Sequence, residues 1–226
     1  MKIENKIIVI TGGNKGFGKS LATAFIGKGN KVVAVGRSAQ DKSDGNYFEM
    51  IGDVTVEADI KKVVEDVVAK FGQIDIWINN AGKWTPHGPV EDLDLSRARE
   101  VFEVNVFGLM NGSKQSLIQM KKQGQGIILN ILSTAALDGR AQASIYRSSK
   151  FAADGFTKCL RDEVKDSGIK VFSVYPGGMK TNLFDEKRPD NFDEYMNPDD
   201  VVGKIIANME SDAPQEEMVI KREGQI

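Results

Sequence analysis

The chain has 226 residues, 41% hydrophobic and 27% charged, with a formal net charge of −2. That suits one large domain with a sizeable core, residues 1–226, and argues against nucleic acid or an anionic membrane surface as a main partner. The opening apolar run is too short for a signal peptide, and no run approaches the roughly 20 residues of a membrane span, so a soluble, cytoplasmic chain is expected.

Lys6–Thr11 (KIIVIT) is a short, continuous apolar run, the pattern of a strand buried on both faces of a parallel sheet. Thr11-Gly12-Gly13-Asn14-Lys15-Gly16-Phe17-Gly18 follows, then an amphipathic helix ending near Gly27–Gly29. Strand, glycine loop and helix together form a nucleotide-binding context. Glycines allow the sharp turn and let backbone N–H groups approach a pyrophosphate at the positive end of the helix. The spacing is Gly-x-x-x-Gly-x-Gly rather than the commoner Gly-x-Gly-x-x-Gly.

Lys31–Val35 is the second strand, closing a βαβ unit. Binders of NAD carry an acid near the end of this strand, about 20 residues past the glycines, for the ribose 2′-hydroxyl. Here Gly36-Arg37-Ser38 stands there, with no carboxylate before Asp41. Arg37 offers a planar fork for phosphate and Lys15 a second positive charge, which favours NADP(H) over NAD(H).

Tyr47–Ile51 reads as a poorer third strand ending at Gly52-Asp53-Val54. A helix over Val56–Lys70 follows, then a strand over Ile74–Ile78 that runs into Asn79-Asn80-Ala81-Gly82. The loop 83–95 carries Trp84 and the only histidine, His87, which has no visible partner and reads as a substrate-loop or surface residue. Ser96–Gln123 is expected to be one long helix with Asn105 in its interior, where an amide needs a partner or solvent. Gly126–Ile131 is a strand leading to Ser133. Ile169–Tyr175 is another, leading to Pro176-Gly177-Gly178-Met179-Lys180-Thr181. The segment 182–197 lacks a regular period and mixes charge with Phe184, Phe192, Tyr195 and Met196, which suits a mobile lid over a substrate. A helix from Pro198 to about Met209 and an edge strand at Glu217–Lys221 complete the order.

Gln142–Lys165 organises the rest. Ile145, Ala152, Phe156, Leu160 and Val164, with Ser149, form a stripe at helical spacing. Cys159, the single cysteine, lies near that apolar side and reads as a small buried hydrophobe, with no disulfide framework possible. Tyr146 and Lys150 are four apart and so neighbours on one face. An ammonium one turn from a phenol favours phenolate and is expected to lower the Tyr146 pKa toward the range useful for proton transfer.

Alternating strands and helices predict a single doubly wound α/β domain, a Rossmann-type parallel sheet of about seven strands with helices on both faces. Gly12, Asn80, Ser133 and Pro176 fall at the carboxyl ends of strands, where such sheets bind ligands at the switch point.

The ordered set Thr11-Gly12-x3-Gly16-x-Gly18, Asp53-Val54, Asn79-Asn80-Ala81-Gly82, Asn105, Ser133, Tyr146-x3-Lys150 and Pro176-Gly177-x3-Thr181 resembles the short-chain dehydrogenase/reductase family. The resemblance implies a catalytic set of Asn105, Ser133, Tyr146 and Lys150. Tyr146 would exchange a proton with the carbonyl oxygen and Ser133 would hydrogen-bond that oxygen. Lys150 would lower the tyrosine pKa and hold ribose hydroxyls, and Asn105 would anchor a relay water. It implies a cofactor site of Gly12, Asn14, Lys15, Gly16, Phe17, Gly18, Arg37, Asp53, Val54, Asn80, Ala81, Gly82, Tyr146, Lys150, Pro176, Gly177, Met179 and Thr181, with no metal. The implied activity is NADPH-dependent, reversible reduction of a small-molecule ketone, aldehyde or 3-oxoacyl thioester; the alternative is a catalytically silent NADP(H)-binding sensor or regulatory protein. Ser148-Ser149 stands where the family often has Ala-Ser. A homodimer or homotetramer through the two long helices is implied, with Gly108, Gly112 and Ala153 available for close packing.

Overall fold

The structure, a computed structural model, describes residues 2–222. At its centre β1 (Ile7–Thr11) pairs in parallel with β2 (Lys31–Gly36) on one side and β5 (Ile76–Asn79) on the other. Beyond β2 lie β4 (Tyr47–Ile51) and the two-residue β3 (Ser43–Asp44). Beyond β5 lie β6 (Gly126–Ile131), β7 (Ile169–Pro176) and β8 (Glu217–Ile220). The order is β3-β4-β2-β1-β5-β6-β7-β8 among the described residues, one strand more than expected. The extra strand is β3, exposed and antiparallel to β4. Gly45, at φ +56°, turns the chain back there. Two exposed polar residues carry no strand pattern, so this strand is not legible in the residue string.

Successive side chains on a strand point to opposite faces, which splits the core in two. Ile8, Ile10, Val32 and Ala34 pack beneath α1 (Gly16–Gly27) and α6 (Pro198–Glu210). Val9, Val33, Val35, Trp77 and Ile128 pack beneath α2 (Glu57–Phe71), α4 (Gly108–Gln123) and α5 (Ser144–Val164). The described residues thus form one doubly wound α/β domain, and no helix among them is long and apolar enough to cross a membrane.

The helix expected over Ser96–Gln123 is interrupted. Asp94 caps α3 (Leu95–Phe102), its carboxylate accepting from the N–H groups of Ser96 and Arg97 at 2.8 and 3.3 Å. A π-helical turn, Glu103–Phe107, then joins α3 to α4. The wider turn places both Asn105 and Val106 inward, and both are buried.

Helix α5 also departs from expectation. Its buried line runs through Ser149, Ala153, Thr157, Leu160 and Val164, whereas Ala152 and Cys159 face solvent. The apolar line lies one residue round from the expected stripe at Ala152, so Cys159 is an exposed thiol and not a core hydrophobe. Asp154 is buried because Tyr175 Oη donates to it at 2.6 Å and Lys158 Nζ at 2.9 Å.

A polar chain holds α4 and α5 against the sheet. Trp77 Nε1 donates to Asn79 Oδ1 at 2.8 Å. Asn79 Nδ2 donates to Ser113 Oγ at 2.9 Å and Asn130 Oδ1 at 2.8 Å, and Asn130 Nδ2 donates to Thr157 Oγ1 at 2.9 Å. The small residues expected at a subunit interface are used inside the chain instead. A Cβ on Gly108 would stand 2.7 Å from Val54 Cγ2, one on Gly112 would be 2.7 Å from Trp77 Nε1 and overlap Asn79, and Ala153 is wholly buried.

Replacing Gly112 with alanine should therefore wedge α4 off the Trp77–Asn79 pair. The expected loss of stability is about 2 kcal/mol in urea unfolding. An unchanged midpoint would show that α4 is not seated as closely as described.

Candidate active site

The sheet's direction of growth reverses between β1 and β5, and the crevice lies there, beyond the strands' carboxyl ends. Thr11 fastens its two walls together. The Thr11 hydroxyl donates to Ile78 O at 3.3 Å and accepts from the N–H groups of Asn80 and Ala81 at 3.0 and 3.1 Å. Asn80 Nδ2 returns bonds to Thr11 O and Gly12 O at 2.9 and 3.3 Å. Asn80 is thus committed to shaping the loop.

Gly12 and Gly16 take positive φ, +64° and +50°. At Gly18 a Cβ would overlap Gly12 O and stand 2.6 Å from Asn80 Nδ2. The loop has that tightness because no side chain intervenes. Lys15, the N-cap of α1, offers no side-chain acceptor, and the first turn holds no acid. The first N–H groups of α1 therefore lack an internal acceptor and carry a positive field, a fit for a pyrophosphate group. Asn14 Nδ2 reaches Ser38 Oγ at 3.2 Å, which brings the glycine loop beside the end of β2. Arg37 projects there, 78% exposed, its Nε 4.0 Å from Asp53 Oδ2. Asp53 also accepts from Thr55 N and Oγ1 at 2.9 and 2.8 Å, and Val54 O accepts from Asn111 Nδ2 at 2.9 Å.

Across the crevice, Ser133 follows β6 and Tyr146 lies in the first turn of α5, which begins at Ser144. The Ser133 hydroxyl accepts from Ala135 N at 3.1 Å and donates to Pro176 O at 3.4 Å. It also hydrogen-bonds Tyr146, which favours the phenolate. Burial outweighs that bond and pushes Tyr146 up to about 12. The expectation that Lys150 lowers this pKa does not hold here. Lys150 Nζ lies 5.9 Å from the Tyr146 ring centroid and donates to Ile131 O at 3.2 Å. Burial brings Lys150 itself down to about 8.

Asn105 stands behind this pair. Its Nδ2 donates to Lys83 O at 2.9 Å and Ser149 Oγ at 3.0 Å, and its Oδ1 accepts from Lys83 N at 2.8 Å. Ser149 Oγ in turn donates to Tyr146 O at 2.7 Å. Both amide hydrogens are used, so a relay water could only donate to this side chain, at Oδ1, and would need its own donor elsewhere.

A glycine loop at the switch point, with two hydroxyls and a buried lysine across the crevice, suits a dinucleotide. The sequence matches the short chain dehydrogenase family over residues 6–191. The chain belongs to that family.

It is an NAD(P)-dependent oxidoreductase of the short-chain type. L-fucose dehydrogenase of Mus musculus is 32% identical over 191 residues, 82% of this chain and 69% of the relative. The 3-ketoacyl-(acyl-carrier-protein) reductase from Brucella melitensis complexed with NADH superposes with a TM-score of 0.90 at 25% identity, over 100% of both chains. A short chain dehydrogenase from Burkholderia cenocepacia J2315 in complex with NADP has a TM-score of 0.83 at 26% identity, over 97% of this chain and 89% of that one.

In this short-chain dehydrogenase the far wall is aromatic. Trp84 meets Phe184 with ring centroids 5.2 Å apart, and Phe184 meets Tyr195 at 5.4 Å and Phe192 at 6.2 Å. The segment 182–197 is pinned at its ends, with Lys180 N donating to Met196 O and Met196 N to Gly178 O, each at 3.0 Å. Thr181 Oγ1 accepts from Leu183 N at 3.4 Å, opening a 3₁₀ turn, Asn182–Phe184. Asn182 presses on Gly16 so closely that a Cβ on Gly16 would overlap it. Gly177 N donates to Ile220 O at 2.9 Å, tying Pro176–Gly177 to β8. A groove of about 470 Å³ runs between Gly16, Ser20, Thr181, Arg188 and Pro198.

Sequence reading missed Gln142 in the wall beside Tyr146. It takes φ +66°, which gives no signal in a residue string. His87 lies on the same wall, 5.8 Å between ring centroids from Trp84, and burial first, then three nearby cations, hold its pKa down.

In ¹³C NMR of lysine-labelled protein, the Lys150 side chain should titrate near pH 8, well below the roughly 10.4 of exposed lysines. The Tyr146 ring should keep its proton to about 12. Titration of Lys150 with the bulk lysines would mean that water reaches Nζ.

Proposed function

We propose that this enzyme reduces a ketone, aldehyde or 3-oxoacyl thioester to the alcohol with NADPH, reversibly, with Tyr146 as the proton donor. What carries this reading is the Tyr146–Ser133 hydroxyl pair at the carboxyl end of β6, backed by the buried Lys150. Burial keeps Tyr146 protonated through the neutral range, the state an acid needs for the reductive direction. When bound, the reduced nicotinamide supplies the hydride to the carbonyl carbon. Tyr146 gives its proton to the carbonyl oxygen, and Ser133 donates a hydrogen bond to that oxygen as charge builds on it. Lys150, on the same helix face one turn on and held by Ile131 O, would present its ammonium to the ribose hydroxyls of the cofactor. Asn105 is a positioning residue, holding Ser149 and the Lys83 backbone so that the first turn of α5 keeps its place.

The preference for NADPH rests on Lys15 and Arg37. Arg37 meets Asp53 only at 4.0 Å and remains largely exposed, so its fork can turn to a 2′-phosphate. The named neighbours include one structure with NADP and one with NADH, so these two cations carry the choice. In the same reading the chain forms a homodimer or homotetramer. Phe107, Ile118 and Phe151 are exposed apolar side chains along the two long helical stretches, suited to a second copy.

Tyr146→Phe should lower kcat by roughly 100- to 10,000-fold while leaving NADPH affinity nearly intact. Retained kcat would remove the tyrosine from its role. Arg37→Asp should raise the KM for NADPH relative to that for NADH by at least about tenfold. An unchanged ratio would place phosphate recognition elsewhere.

A further inference from the structure

The space beside Tyr146 is bounded by Thr85, His87, Leu93, Gln142 and Ile145. Arg140, exposed, lies two residues before Gln142. The Arg140 carbonyl accepts from Ala143 N at 3.3 Å, starting the turn that places Gln142 in the wall. Gln142 O accepts from Gly88 N at 2.9 Å, which binds the His87 loop to the same turn. The charges acting on His87 come from Arg140, Arg147 and Lys187, with no carboxylate among them. Arg140 also acts on Tyr195 in the aromatic wall, so it bears on both sides of the opening.

Neighbouring arginines have their acids. Arg147 pairs with Asp138, Arg97 with Glu186 and Arg222 with Glu194. Arg140 and Lys187 are exposed and, among the described residues, have no ion-pair partner. In a chain of net charge −2, the surroundings of His87 are a local region of positive charge. Cations grouped this way repel one another, and an anion between them relieves the repulsion.

With Tyr146 taken as proton donor to a carbonyl, we infer that the substrate also carries an oxyanion, a carboxylate or a phosphate, which Arg140 grips and Lys187 flanks. The guanidinium fork matches either group bidentately. His87, neutral at pH 7, can hydrogen-bond the same end without adding to the repulsion. Trp84, Phe184 and Tyr195 cover the substrate's apolar stem. Arg140 is thus a specificity-determining residue.

The test follows NADPH or NADH oxidation with two matched pairs of carbonyl compounds. One pair is a short oxo acid and its methyl ester; the other is a phosphorylated ketone and its dephosphorylated counterpart. In at least one pair, kcat/KM for the anionic member should exceed that of the neutral one by at least about tenfold. That advantage should shrink as salt is raised, and the pair that shows it identifies the oxyanion. Arg140→Ala should bring the ratio toward one, chiefly through KM for the anion, and Arg140→Lys should restore part of it. Equal turnover within both pairs, or a ratio unchanged in Arg140→Ala, overturns the inference while leaving carbonyl reduction intact. Turnover of none of the four compounds would instead overturn the carbonyl reading, and the substrate class with it.

Discussion

The clasp between Thr11 and Asn80 is the constraint on which the site depends. A parallel sheet that winds outward both ways from its centre leaves a gap where the two halves diverge. Here that gap is bridged by the Thr11 hydroxyl and by the Asn80 amide. Each bond joins β1 to the end of β5 or to the loop that follows it, which ties the glycine loop to the floor of the crevice. The closeness of Gly18 to Gly12 O and Asn80 follows from this, and with it the open N-terminus of α1.

A second set of buried polar bonds does for the catalytic half what Thr11 does for the cofactor half. Trp77, Asn79, Ser113, Asn130 and Thr157 link β5, β6, α4 and α5 in one satisfied chain. Such groups are costly unless all are paired, and when paired they admit few alternative arrangements. They fix the angle of α5 against the sheet, and Tyr146 and Lys150 ride on that helix. The π turn at Asn105 completes the support, turning its amide to the Lys83 backbone and Ser149.

Tyr146 and Lys150 show how burial can reverse an expectation drawn from spacing. Four residues apart on a helix they are neighbours, and the ammonium was expected to acidify the phenol. In the folded chain Lys150 is buried and Tyr146 half-buried, and the loss of water favours each neutral form. Tyr146 rises to about 12 and Lys150 falls to about 8. Desolvation depends on what covers a side chain, and the covering residues come from β6 and the loops around the crevice. Cys159 teaches the same point in reverse, since membership of an apolar helix did not put it on the buried side.

Much of this protein is set by local pattern. Continuous apolar runs give the buried strands, the glycines give the loop, and the order of strand and helix gives a doubly wound sheet with Gly12, Asn80, Ser133 and Pro176 at one edge. These are legible because strand burial and helical periodicity are properties of neighbouring residues. The two-residue β3, the π turn, the left-handed Gln142 and the inward use of Gly108 and Gly112 are not, because each answers to atoms distant in the chain. The grouping of Arg140, Lys187 and His87 at one opening has the same origin. Sequence determined which chemistry the chain carries. The tertiary structure decided which groups are buried, paired or left facing a ligand, because solvation and charge pairing exist only once distant segments meet.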